Sequence, residues 1–227
     1  MPAKISIVIP VLNEANKIAK TIAIAQSGKN IEILVVDGGS CDDTVAIVQS
    51  LGLKVLSAST GRANQMNLGA KAATGEILLF LHADTHLPVG FCNSVRRVLR
   101  QPKTIAGAFA LQIDGALREL RLVEMGVNLR SRFLSLPYGD QAIFVKAETF
   151  KALGGFPQLP IMEDFEFVLR LRKSGKITIV PTPVITSSRR WQNLGVWQTT
   201  IINQLAIAAY LLRISPARIA QWYRRKS

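Results

Sequence analysis

The sequence predicts an α/β protein, with a mixed, mostly parallel sheet flanked by helices and a helical appendage at the C-terminus. Two observations predict this. Over about the first 190 residues, short apolar runs with strand character alternate with helix-like segments across short joins, which is how a layered α/β domain is written in sequence. Beyond residue 190 the chain changes character, carrying no charge from Trp191 to Leu212 and then turning basic. A chain of 227 residues that is 48% hydrophobic is long and apolar enough to bury a full core. Residues 1–190 read as one domain and 191–227 as its basic amphipathic appendage.

Ile5 to Pro10 is the first strand, followed by a helix from Glu14 to Ala25 that Asn13 is placed to cap. Glu32 to Asp37 is the second strand. Ser40 with Asp43 three residues later approximates an N-capping signal for a helix from Asp43 to Leu51. Lys54 to Ser57 reads as a short strand, Ala63 to Ala73 as a helix, and Ile77 to Leu81 as a strand whose unbroken apolar run suits burial on both faces. Gly52 and Gly75 punctuate helix ends. Pro88, at a first helical position, opens Val89 to Arg100. Ile105 to Ile113 is strand-like, Leu117 to Leu134 an amphipathic helix, and Ala142 to Val145 a short strand. Ala147 to Leu153 is helical, Gly154 to Pro157 turns, Glu163 to Lys173 is helical, and Ile177 to Val180 closes the series as a strand.

The net charge of +13 is unevenly distributed. No acidic residue follows Glu166, while Phe167 to Ser227 holds 11 Lys or Arg, leaving 17 basic against 15 acidic residues upstream. Such a tail suits an anionic lipid surface, a nucleic acid or an anionic ligand. The uncharged stretch is a poor membrane span, because Gln192, Asn193, Gln198, Asn203 and Gln204 are costly in hydrocarbon and only Ile201 to Leu212 is strongly apolar. Residues 191–227 therefore read either as a peripheral membrane anchor or as a core or homodimer helix with a solvated basic end. Cys41 and Cys92 lack the spacing of a disulfide framework or zinc site, and the first strand is too soon interrupted for a signal peptide, so a cytoplasmic protein, with peripheral attachment to the inner membrane face as an option, is expected.

The reactive groups collect where strands end. A Gly-rich dinucleotide loop is missing after the first strand, where Pro10-Val11-Leu12-Asn13-Glu14 stands instead, and there is no phosphate-binding lysine loop. Acids follow three strands: Glu14, Asp37 and Asp84. Carboxylates at one sheet edge suit base or ribose donors and a divalent cation. His82 and Asp84, two apart in a tight turn, are able to face one cation bridging a diphosphate; the competing reading is a turn that merely closes the strand.

These segments together resemble an ordered set of family signatures. Ile7-Val8-Ile9-Pro10 with Asn13-Glu14, Val35-Val36-Asp37-Gly38-Gly39-Ser40 with Asp42-Asp43-Thr44, the Arg62, Asn67 and Gly69 segment, Phe80-Leu81-His82-Ala83-Asp84, and Glu163-Asp164 resemble the family 2 glycosyltransferases, inverting enzymes of GT-A fold. Gly61-Arg62-Ala63-x-Gln65-Met66-Asn67 and Tyr138-Gly139-Asp140-Gln141 are similar to a compact bacterial subgroup. The resemblance implies a nucleotide-diphosphate sugar as donor, a hydroxyl or carboxyl acceptor with a lipid-linked one as an option, and Mn²⁺ or Mg²⁺ as cofactor. It places Pro10, Asn13, Glu14, Asp37, Gly38, Arg62, Asn67, Ala83 and Asp84 at the donor. Asp84 would hold the metal, with His82 standing where family members commonly carry a first aspartate. Asp164 would be the base that deprotonates the acceptor, with Glu163 as runner-up. Asp140 and Gln141 would line the acceptor pocket or simply form a turn, and His86 would be structural. Ser187-Ser188-Arg189-Arg190-Trp191 resembles the Gln-x-x-Arg-Trp box of processive members, with Ser187 in place of the glutamine. The alternative from a different class is a basic module binding nucleic acid or anionic lipid through residues 167–227, with a decayed transferase site.

Overall fold

The computed structural model describes residues 2–226. Its elements are β1 (Ile5–Val11), α1 (Ala15–Gln26), β2 (Ile31–Asp37), α2 (Thr44–Ser50), β3 (Val55–Ser57), α3 (Arg62–Ala72), β4 (Ile77–Phe80) and β5 (Thr85–His86). They continue with α4 (Phe91–Leu99), β6 (Thr104–Asp114), α5 (Arg118–Leu134), β7 (Phe144–Lys146), α6 (Ala147–Ala152), α7 (Glu163–Ser174) and β8 (Lys176–Ser187). Three helices end the chain: α8 (Arg189–Leu194), α9 (Val196–Leu211) and α10 (Pro216–Lys226). One sheet runs β3-β2-β1-β4-β7-β6-β8-β5. The pairs β3/β2, β2/β1, β1/β4 and β6/β8 are parallel, and β4/β7, β7/β6 and β8/β5 are antiparallel.

Side-chain alternation along β1 divides the core. Ile5, Ile7, Ile9 and Val11 face α1, α2 and α4 with Ile18, Ile22, Val48, Phe91 and Val95. Val8, with Val36, Leu78 and Phe80, faces α3, α6 and α7 through Met66, Phe150, Phe167 and Leu171. The second face is closed at Gly69, where a Cβ would lie 2.4 Å from Val8 Cγ1 and 3.1 Å from Val36 Cγ2, so only glycine lets α3 approach the sheet this closely. This approach brings the N-terminus of α3, and Arg62 with it, over the ends of β1 and β2.

Several boundaries differ from the sequence expectation for local reasons. Glu14, not Asn13, occupies the N-cap of α1; Asn13 adopts φ 55° and its Oδ1 accepts the Cys41 N–H at 2.8 Å. Ser40 does not cap α2, because its hydroxyl donates to Asp37 Oδ1 at 2.6 Å, and Asp42 takes the Thr44 N–H instead. Helix α4 starts at Phe91 rather than Val89, since Gly90 stands in the left-handed region at φ 74°. Strand β8 runs seven residues beyond the expected end at Val180: its pairing with β6 jumps from Val180 to Pro183, and this irregularity absorbs two prolines that carry no N–H.

The charge-free stretch is two helices, broken at Gly195 (φ 85°). Ala206 of α9 and Ile219 of α10 form a third core with Met162 and Phe165 at the start of α7, so the C-terminal helices are seated on the domain. Among the described residues no helix is long and apolar enough to cross a membrane.

Candidate active site

The C-terminal ends of β2, β1 and β4 are adjacent, and the loops that leave them are knitted together by side chains. Asp37 is buried at the end of β2 and accepts the Gly39 N–H at 3.0 Å, the Ser40 N–H at 3.1 Å and the Ser40 hydroxyl. Ser40 Oγ also accepts the Asn13 N–H, Thr44 Oγ1 accepts the Glu14 N–H, and Asp42 Oδ2 accepts the Ala15 N–H. Beneath them, Gln65 donates to the carbonyls of Val11 and Val36 at 2.8 and 2.9 Å, joining the ends of β1 and β2. Gly38 packs closely above it: a Cβ there would lie 3.0 Å from the Gln65 amide, which would have to shift by a few tenths of an ångström. Pro10, Asn13, Glu14, Asp37 and Gly38 thus form one continuous rim. The turn after β4 is closed by the Thr85 N–H donating to the His82 carbonyl, which leaves Asp84 at its apex beside that rim.

A second cluster faces this rim. At the first turn of α7, Asp164 Oδ2 accepts the Gly139 N–H at 2.7 Å and Oδ1 accepts the Phe165 N–H at 2.8 Å. A Cβ on Gly139 would lie 2.9 Å from Asp164 Oδ2 and 3.1 Å from His82 Nε2, so the glycine leaves room beside both groups. Glu163 is 5% exposed and pairs with Arg62, Nη1 to Oε1 at 3.4 Å. Burial, then the neighbouring Asp164 charge, raise the Glu163 pKa, and Arg62 opposes them. Desolvation disfavours charge on Arg62, but Glu163, Asp164, Tyr223 and Asp84 outweigh it and hold the guanidinium protonated. His82 is pushed down to about 3 by burial and by Arg62, so its ring is neutral at neutral pH.

Asp140 completes the cluster. Its Oδ1 is buried without a partner among the described residues, and burial, with further push from Asp164 and Asp84 against the pull of Arg130, raises its pKa to about 6. Arg130 lies with its guanidinium carbon 3.3 Å from the Tyr138 ring centroid, which holds the Tyr138-Gly139 backbone against α5.

Arg189, at the start of α8, was not among the expected site residues. It grips Glu14 at 2.7 and 3.2 Å and stands 3.8 Å from Asp84 Oδ2, so a cation already neutralises these two acids. The pairing joins residues 175 positions apart and leaves no local trace in sequence; the only signal was the arginine-rich run before Trp191.

Three expected residues have side chains or carbonyls engaged within the fold, and of the two readings of Gln141 the structure shows the turn. Asn67 does not face the donor rim: both ends of its amide are spent on the Phe156 backbone, accepting its N–H at 2.9 Å and donating to its carbonyl at 2.8 Å. Ala83 turns its methyl into the core, and its carbonyl accepts Thr21 Oγ1 at 2.7 Å. Gln141 is fully buried and spends its amide on the Tyr138 N–H, Ser131 Oγ and the Phe109 carbonyl, so it builds the turn and does not line a pocket. His86 sits on β5 among Lys20, Lys17 and Asp114, apart from the cluster.

Among the described residues no three His, Cys, Asp or Glu side chains converge as a ready ligand set. This donor set still suits a hard divalent cation that takes one or two protein oxygens and completes its shell with phosphate oxygens and water. Asp84 offers the carboxylate, and neutral His82 is chemically able to add a nitrogen.

A model of the family described as "Glycosyl transferase family 2" matches residues 6–154, which spans β1 to the end of α6. The chain belongs to glycosyl transferase family 2. It is 41% identical over 90 residues to an uncharacterised glycosyltransferase of Rickettsia typhi, covering 37% of this chain and 28% of that protein. With an uncharacterised glycosyltransferase of Haemophilus influenzae it shares 27% identity over 192 residues, covering 78% of this chain and 74% of the other. Among solved structures, a mannosyltransferase from Pyrobaculum calidifontis in complex with GDP-Man and Mn²⁺ superposes with a TM-score of 0.69 at 20% identity, over 91% of this chain and 63% of that one. S. aureus TarS with UDP-GlcNAc gives 0.65 at 18% identity, over 81% and 58%. The fold is therefore GT-A, as the sequence resemblance implied. The alignments span under a third of the Rickettsia typhi relative and under two thirds of both solved chains.

Proposed function

We propose that this family 2 enzyme moves one glycosyl unit, with inversion, from a nucleoside diphosphate sugar to a hydroxyl or carboxyl acceptor. The observation that carries the reading is the meeting of two groups of side chains at one sheet edge. Asp37, Glu14, Asp84 and Arg62, with His82, suit a nucleotide, its diphosphate and a cation, while Asp164 and Asp140 suit an acceptor. The GDP-Man and UDP-GlcNAc bound by the two structural neighbours support a nucleotide-sugar donor without choosing its base or sugar.

Asp164 is the base in this reading. Two backbone N–H groups orient its carboxylate and leave a lone pair on each oxygen for the acceptor proton. The acceptor oxygen attacks the anomeric carbon as Asp164 takes its proton, the carbon–oxygen bond to the diphosphate breaks, and the electron pair leaves on the β-phosphate oxygen. Arg62 would neutralise part of that charge. Mn²⁺ or Mg²⁺ held by Asp84, with His82 beside it, would supply Lewis-acid stabilisation of the same leaving group. Glu163, buried against Arg62, positions the guanidinium and is the weaker candidate for the base. The acids at three strand ends favour a transferase over a bare nucleic-acid module.

The test is Asp164→Asn. Nucleoside diphosphate binding should stay within about threefold of wild type while turnover falls by about 10²–10⁴. Turnover retained by Asp164→Asn but lost in Glu163→Gln would move the base to Glu163.

A further inference from the structure

Residues 191–227 are the expected membrane contact, but the aromatic residues of α10 are turned inward: Trp222 and Tyr223 pack against the core formed by Met162, Phe165, Ala206 and Ile219. The exposed apolar surface lies on two other helices. On α5, Leu122, Met125, Leu129 and Phe133 are exposed at spacings of three and four residues, which places them on one face. On α9, Trp197, Ile201 and Leu205 do the same, and Leu212 stands exposed just past its end. Single exposed leucines are ordinary, but two helix-long stripes are not. The two helices are neighbours, and Leu136, just past α5, packs into the same core as Ala206 of α9.

We infer that the outward faces of α5 and α9 seat this protein on an anionic lipid bilayer beside its acceptor site. Charge selects this occupant over a second copy or a neutral partner. Exposed Arg118 and Arg132 flank the α5 stripe, Arg213 follows α9, and Arg218, Arg224 and Arg225 stand exposed on the adjoining α10, against one exposed acid on α5, Glu119; Arg121 is paired with Glu124. A second copy would bring the same positive charge to the contact, whereas phospholipid head groups bring the opposite one and the acyl boundary accepts the stripes. The most exposed tips, Phe133 (79%) and Leu212 (77%), mark the deepest contact.

Placement links the surface to the reaction. Only Leu134 to Tyr138 separates Phe133 from Gly139, whose N–H holds Asp164, and Tyr138 and Met162 join the α9 core. An acceptor hydroxyl on an amphiphile embedded in the bilayer would meet Asp164 from this side. That clause rests on the transferase reading; the docking itself does not.

The test is co-sedimentation of the full chain with vesicles of phosphatidylcholine alone or mixed with phosphatidylglycerol, for wild type and a Phe133→Glu/Leu212→Glu double variant. Thermal unfolding and nucleoside diphosphate binding serve as controls for the fold. The inference predicts that wild type partitions onto the anionic vesicles and that the double variant, folded and still binding nucleotide, loses at least about tenfold of that partitioning. No binding to anionic vesicles, or equal binding by the double variant, overturns it. So does a lipid-free dimer that the double variant abolishes, because the stripes would then cover each other. Loss of nucleotide binding in wild type itself would sink the transferase reading and leave the docking standing.

Discussion

Replacing Gly139 by alanine places a methyl group against Asp164, the proposed base, and His82. Gly139 is not among the residues in the left-handed region, so the backbone accepts alanine and the consequence is confined to what the new carbon meets. It would stand 2.9 Å from Asp164 Oδ2 and 3.1 Å from His82 Nε2, where ordinary contact begins at 3.4 Å. Asp164 Oδ2 must therefore retreat by about 0.5 Å and His82 by about 0.3 Å. The same oxygen accepts the Gly139 N–H at 2.7 Å, so the retreat stretches the bond that orients the carboxylate. A weakened hydrogen bond to a charged group, together with modest overpacking, costs about 1–3 kcal/mol of stability. A misplacement of about 1 Å costs about 10²-fold, so a shift of about half that lowers turnover by about tenfold. Metal-free nucleotide binding should be unchanged, since Asp37 and Glu14 lie on other elements, away from the new methyl. The assay is release of nucleoside diphosphate from a panel of nucleotide sugars, with calorimetric nucleotide binding in parallel. A folded Gly139→Ala protein with turnover within twofold of wild type would refute the placement of Asp164 at the reacting atoms.

Three further outcomes follow from the same geometry. Asp140 has a folded pKa of about 6 against an ordinary 3.8, so its ionisation opposes folding: the cost is absent below pH 3.8, grows as pH rises to about 6 and is constant above. Asp140→Asn should thus stabilise the metal-free protein by about 2–3 kcal/mol at pH 7 and by nothing near pH 3.5, read from urea unfolding across pH. Asn67→Ala should cost about 2–4 kcal/mol by stranding the Phe156 N–H and carbonyl while leaving nucleotide affinity unchanged; a loss of affinity without a loss of stability would return Asn67 to the donor site. Glu32 is held down to about 2 because, against desolvation, hydrogen bonds from Ser6, Thr74 and Lys4 favour its charged form. Its contribution of about 2–3 kcal/mol is complete above pH 4.5 and is lost as pH falls through about 2, so Glu32→Gln should destabilise at pH 7 and far less at pH 2.5.

What the sequence made legible follows from the range of the interactions involved. Strands β1 and β4 were readable because parallel strands covered on both faces leave unbroken apolar runs, and the acids at their ends because a strand end is a local feature. The far half of β8 was hidden by Pro181 and Pro183, which argue against a strand until their place at an irregularity is seen. Asn67 and Ala83 sit inside motifs that carry function, but whether an amide or a carbonyl is free depends on a partner far along the chain, here Phe156 and Thr21. The grip of Arg189 on Glu14 and the Gly139–Asp164 contact are tertiary in the same way. Tyr138-Gly139-Asp140-Gln141 could be picked out as a motif, yet only the fold divides it into a glycine that makes room, an acid aimed at the site and a glutamine that builds the turn.

The most direct test is calorimetric binding of UDP, GDP, dTDP and CDP, each with Mn²⁺, Mg²⁺ or a chelator, to wild type and Asp84→Ala. The account predicts that at least one nucleotide binds wild type in a metal-dependent manner and that Asp84→Ala weakens this by at least about tenfold without unfolding the protein. Failure of every nucleotide to bind, or metal-dependent binding that Asp84→Ala leaves unchanged, would contradict it.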